Sequence, residues 1–225
     1  MELKPQDLLV LLKAAAHPGT RWTYAGLAEA LSMSASEVHA SVKRAVASGL
    51  ASSAGRGEWS PVLPALQEFV LHGVRYVWPA ELGIAKRGIP TSFGAAPLAD
   101  KLTAAPGEAP VWPHPGGAVK GPSVSPIYRT APQAALADPA LHRLLALLDA
   151  LRIGRARERA LAAELLLQEL DREIRQKTKD KGNLSLDDVT RGLMRLDRVS
   201  TKDFVDITEN VIGGPSKTLD TRLLR

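Results

Sequence analysis

The chain has 225 residues, enough for one large domain or two small ones, and 45% of them are apolar with only 4% aromatic. A formal charge of +5 is compatible with nucleic acid but is far from a polybasic tail, and the absence of cysteine excludes disulfides, thiolate catalysis and thiolate zinc sites. No run of about 18 apolar residues marks a membrane span and no basic-then-apolar leader opens the chain, so a soluble, cytoplasmic protein is expected.

Ala and Leu dominate the apolar set, and they lose little on entering a helix, so the fold class is expected to be mainly α. Pro5–Ala16 reads as a first helix, with Leu8, Leu9, Leu11, Leu12 and Ala15 on a broad apolar face and Pro5 early, where a missing N–H does no harm. His17-Pro18-Gly19 ends it. Thr23 is placed to cap a second helix that brings Leu27, Ala28 and Leu31 to the core. After a corner at Ser32–Met33, Ser34 and Glu37 have capping-box spacing for a third helix ending at Gly49. Val38, Val42, Ala45 and Val46 recur at three and four residues on one stripe, and Ser36, His39, Ala40 and Lys43 lie opposite.

The polar segment ASSAGRGEWSPV is long enough for a two-stranded wing, with Gly55-Arg56-Gly57 at its tip and Trp59 on the returning strand. A fourth helix is expected over Pro64–His72, and Tyr76, Val77 and Trp78 suggest a short strand. These elements define a first domain over residues 1–78. From 79 to 137 Pro and Gly recur every few residues, which breaks any helical pattern. Aromatic residues such as Phe93, Trp112 and Tyr128 punctuate the stretch, so it reads as an irregular arm laid over the helices rather than a linker.

Residues 138–225 read as a helical half. Asp138–Leu151 carries Leu141, Leu144, Leu145 and Leu148, and a helix from about Arg155 to Lys177 carries Leu161, Leu165, Leu166 and Leu170. Arg152, Arg155, Arg157 and Arg159 mark the corner between them, either as a patch for an acidic partner or DNA or as a solvated helix start. The charged run after Leu170 and the break at Gly182-Asn183 set off a remnant-like tail.

A helix-turn-helix followed by a small wing is the pattern of a module that lays one helix in the major groove. Ser36, His39 and Lys43 then reach base edges or phosphates, or else form an ordinary solvated helix face, and Arg44 is either a phosphate clamp or a surface charge. Ser34 starts the helix that reads. Arg21 and Thr23, beside a helix N-terminus, are suited to hold a phosphate, and Arg56 between two glycines is suited to a minor groove or to a plain turn. Trp22 and Trp59 are expected in the core. Residues 1–167, through segments such as RWTYAGLAEALSMSASEVHASVKRAVASGL and LQEFVLHGVRYVWPAELG, resemble bacterial winged helix-turn-helix proteins of the MarR-like type. That resemblance implies a sequence-specific transcriptional regulator acting on double-stranded DNA. A homodimer is expected, because a second copy doubles the base contacts, with the long Leu-rich helix as the candidate interface or as internal packing. The alternative is a protein-interaction module, an antitoxin that neutralises a neighbouring toxin-like protein.

Residues 171–214, with the element SLDDV, resemble a helical region of gluzincin metallopeptidases. His-Glu-x-x-His occurs nowhere, and His17, His39, His72, His114 and His142 offer no pair four residues apart. No catalytic residue, metal or cofactor is therefore expected, and no enzyme.

Overall fold

The computed structural model describes residues 2–55 and 58–182. Through Thr178 they belong to one compact unit, and of the second unit, from Lys179, only the end of a helix reaching Gly182 is described. The chain is mainly α, with a two-stranded hairpin and a separate three-stranded sheet.

Helix α1 (Pro5–Ala15) opens with Pro5 in its first turn, and the Asp7 carboxylate accepts the Lys4 backbone N–H at 2.9 Å. Every residue from Asp7 to Ala15 is buried, polar Asp7 and Lys13 included. A helix apolar on nearly all sides belongs in the middle of a core, and α1 lies against both α3 (Ala35–Ala47) and α7 (Pro139–Ile153). Helix α2 (Tyr24–Leu31) starts at Thr23, whose hydroxyl accepts the Gly26 N–H at 3.0 Å. It stops at Ser32, which adopts the left-handed conformation (φ 52°) and turns the chain within three residues into α3. The Ser34–Glu37 capping box is formed in both directions, and Val38, Ser41, Val42 and Ala45 face the core. Gly49, at φ 75°, provides the left-handed exit. Strands β1 (Ala51–Gly55) and β2 (Glu58–Pro61) then pair antiparallel from Ala51↔Pro61 to Gly55↔Glu58.

Two elements differ from the sequence expectation. Tyr76–Trp78 does not form a strand: a continuous helical run joins α4 (Leu63–Glu68), a π-helical turn (Phe69–Gly73) and α5 (Val74–Val77). Leu66, Val70 and Val74, four residues apart, are at most 1% exposed, and that stripe holds the helix past His72. Residues 79–137 are also more regular than an arm. Strand β3 (Leu82–Pro90) pairs antiparallel with β4 (Val111–Pro113) and with β5 (Val119–Val124), and Val111 meets Ser123 to close the three-strand sheet. Glycine is what permits the closure. A Cβ on Gly88 would stand 2.0 Å from the Trp112 carbonyl oxygen, and one on Gly121 would stand 1.9 Å from that of Ala109. Helix α6 (Ala131–Ala137) follows, then α7 and α8 (Ala156–Gly182).

Two carboxylates join these parts. Asp138 caps α7 by accepting the N–H groups of Ala140 and Leu141, while its second oxygen accepts Lys13 Nζ at 2.6 Å and lies 2.7 Å from His17 Nε2. Burial pushes this carboxyl up, but the bonds from Lys13 and His17 outweigh it and hold the acid below its ordinary range. Asp149 on α7 accepts the Thr91 hydroxyl at 2.9 Å, the Trp112 indole N–H at 2.6 Å and Arg152 Nη1 at 2.7 Å, fastening the sheet to the helix. Its complete burial raises its pKa against those partners. The Leu-rich stripe of α8 is internal packing, with Ala162, Leu165, Leu166 and Leu170 buried within one chain.

Candidate nucleic-acid interface

The candidate face is built on α3. Its capping box fixes where the helix begins, its apolar stripe fixes which side is down, and what remains is directed to solvent. Ser36, His39 and Lys43 are exposed and Ala40 is half-buried. Ser34 Oγ lies 2.8 Å from Glu37 Oε2 and 3.1 Å from Ser36 Oγ, so Ser34 is engaged in starting the helix. His39 meets Tyr24 of α2 edge to face at 5.0 Å, which orients the imidazole without occupying its nitrogens. Among the described residues Lys43 makes no ion pair.

The face is anchored from below by a residue that sequence reasoning left open. Arg44 donates to Asp7 through Nε at 2.8 Å and Nη2 at 2.6 Å, and reaches Ser41 Oγ at 3.2 Å. Its side chain is 12% exposed and that of Asp7 is fully buried. The bidentate bond to Asp7 raises the arginine pKa against the cost of burial. Arg44 is thus neither a surface charge nor a free cation: its guanidinium fixes the angle between α1 and α3.

Thr23 caps α2, and Arg21, 90% exposed, lies 3.3 Å from Glu58 on β2. Arg56 lies outside the described residues, as do residues 183–214 of the peptidase-like segment. Trp22 and Trp59 are partly buried against the core. The arginine corner is not one patch: the Arg152 side chain is buried between Asp149, Trp78 O and Ser125 O, and Arg159 donates to Gly154 O at 2.6 Å, leaving Arg155 and Arg157 exposed.

Two residues at the N-terminal end of α3 had no signal in the sequence. The Tyr128 hydroxyl donates to Glu37 Oε1 at 3.0 Å, and Arg129, 77% exposed, approaches the same oxygen at 3.7 Å. The Ser34 N–H, the Ser34 hydroxyl and then Tyr128 hold Glu37 below the ordinary carboxylate range. Burial and then Glu37 raise the Tyr128 phenol. Glu37 is therefore an engaged carboxylate with a cation beside it. These partners lie 91 residues apart, and no local pattern connects them. Among the described residues no three His, Asp or Glu side chains converge to hold a metal ion, and no helix is long and apolar enough to cross a membrane. The chain matches no protein-family model, no curated protein and no solved structure.

Proposed function

We propose that this chain is a sequence-specific DNA-binding transcriptional regulator, in which α1–α3 and the β1–β2 hairpin act as a winged helix-turn-helix and α3 enters the major groove. One observation carries the reading. The buried stripe of α3 is held by the core and by the Arg44–Asp7 pair, while Ser36, His39 and Lys43 stand exposed on the other side. A serine, an imidazole and an ammonium at spacings of three and four offer donors to base edges and phosphates from one helix face. The charge of +5 is modest, so backbone attraction alone holds the chain to DNA weakly and base contacts must supply the preference.

The test is fluorescence anisotropy of the full chain with duplexes from the region upstream of its own coding sequence, repeated from low to physiological salt. A preferred duplex is expected, with affinity falling as salt rises. Lys43→Ala is expected to weaken that duplex by about 1–3 kcal/mol while changing random duplexes less. No saturable binding at low salt, or a Lys43→Ala variant that binds every duplex as tightly as the parent, refutes the reading.

A further inference from the structure

We propose that the outer edge of β3 is the interface between two copies of this chain, paired antiparallel with Ile84 on the two-fold axis. Among the described residues, four of the five large apolar side chains that are more than half exposed fall between Tyr76 and Ile84: Tyr76 at 73%, Val77 at 52%, Leu82 at 51% and Ile84 at 77%. Exposed apolar groups concentrated in this way mark an interaction site rather than ordinary surface. Among the described residues, one edge of β3 is also unpartnered from Leu82 to Lys86. β5 covers one edge of β3 from Leu82 to Gly88, but on the other edge β4 reaches only Gly88–Pro90, and the further bond there is His114 N–H to Arg87 O. All seven residues from Glu81 to Arg87 are exposed.

A bare strand edge is normally blunted by charges. Here the charges are of opposite sign at its two ends, acidic at Glu81 and basic at Lys86 and Arg87. That arrangement complements its own reverse. With Ile84 facing Ile84 across the axis, Glu81 stands opposite Arg87 of the other copy, Leu82 opposite the aliphatic stem of Lys86, and Gly83 opposite Ala85. Every contact occurs twice, as an isologous interface requires. Sliding the axis to Lys86 would set that lysine against its own copy, which is repulsive. β3 holds one more residue than β5 between Leu82↔Val124 and Ala85↔Pro122, a bulge within which Ile84 is exposed. The stripe of α8 is already buried within the chain, so it does not compete as the interface.

The inference is independent of the DNA reading, because its readout is mass without nucleic acid. Wild-type chain is expected to sediment at twice the mass of one copy, and Ile84→Lys, which sets two ammonium groups on the axis, to sediment as a monomer with unchanged circular dichroism. Glu81→Arg or Arg87→Glu alone should raise the dimer Kd roughly five- to thirty-fold, and the two together should restore it. Since the chain has no cysteine, Ile84→Cys gives a direct reading. Cα atoms facing each other across an antiparallel pair are about 4.5–5.5 Å apart, within disulfide reach, so oxidation should cross-link Ile84→Cys and not Leu136→Cys. A wild-type monomer at about 100 µM, inside the μM–mM range in which unpaired strand edges associate, overturns the proposal and leaves the edge to a different protein. A dimer that survives Ile84→Lys, or that Ile84→Cys fails to cross-link, overturns it as well.

Discussion

Replacing Asp138 separates two jobs done by one carboxylate. One oxygen caps α7 and the other holds Lys13 and His17, so the side chain fastens α7 to α1. Asp138→Asn keeps a carbonyl for the two backbone N–H groups but leaves Lys13, 6% exposed, without its anion. Removing one partner of a buried pair costs about 3–5 kcal/mol. The lower end applies here, because the His17 side chain is 35% exposed and is re-hydrated when released. Asp138→Ala also loses the cap, about 1 kcal/mol more, for a total near 4 kcal/mol. That is a large share of the roughly 5–15 kcal/mol by which domains are stable. The double variant Lys13→Met, Asp138→Asn strands no charge and should recover about 2 kcal/mol of the single loss. Urea unfolding at pH 7, followed by far-ultraviolet circular dichroism, measures all four proteins. A cost for Asp138→Asn below about 1 kcal/mol, well under the usual loss for a broken buried pair, or a double variant no better than the single, would refute this account. The sign with pH is also fixed. The folded pKa of Asp138 is lowered, so its contribution is complete above the unfolded value of about 3.9 and is lost as pH falls through that value toward the folded one. The stability of Asp138→Asn should therefore decline less steeply than the parent's between about pH 5 and pH 3.

Other expectations follow from the same contacts. Arg44→Ala should lower stability by about 3 kcal/mol, since it leaves Asp7 buried and unpaired, yet leave the salt dependence of DNA binding unchanged; a slope reduced by about one would make Arg44 a phosphate contact. Thr23→Ala should cost about 1 kcal/mol in urea unfolding by removing the α2 cap. Gly88→Ala should disrupt the three-strand sheet, seen as loss of amide protection in hydrogen exchange at β3 and β4, because the added carbon meets backbone rather than a movable side chain. Truncation after Thr178 should leave the unfolding free energy unchanged within about 0.5 kcal/mol, whereas truncation after Gln168 removes buried Leu170 and the Arg143 partner Glu169 and should cost about 2–5 kcal/mol.

The helices were legible where the information is local. The Thr23 and Ser34 caps, the corner at Ser32 and the Leu141–Leu148 stripe are written within one or two turns of the chain, and periodicity reads them directly. The three-strand sheet was not, because the same glycines that break a helical pattern are the ones that let Gly88 and Gly121 lie against another backbone. Spacing does not distinguish a glycine of an open loop from one of a close contact. Arg44 was ambiguous for a related reason. Its place on the flank of α3 is local, but the Asp7 that captures it is 37 residues away. The same distance problem hid Tyr128 behind Glu37. For the candidate face, the exposed side chains were readable from helix phase, and the network that holds them was not.

The burial of α1 from Asp7 to Ala15 has a consequence for how this protein tolerates change. A helix at the edge of a fold has an idle side where substitutions accumulate without effect. From Asp7 to Ala15 there is no such side, since α3 lies against one flank and α7 against another. A residue that improves the fit to one neighbour is felt by the other, so acceptable changes must arrive in compensating sets drawn from three distant stretches of the chain. Lineages of this protein should then drift most slowly in their first helix and keep it as an inherited unit with its two neighbours, and a transplanted copy of α1–α3 would arrive in a new host without the wall that encloses it.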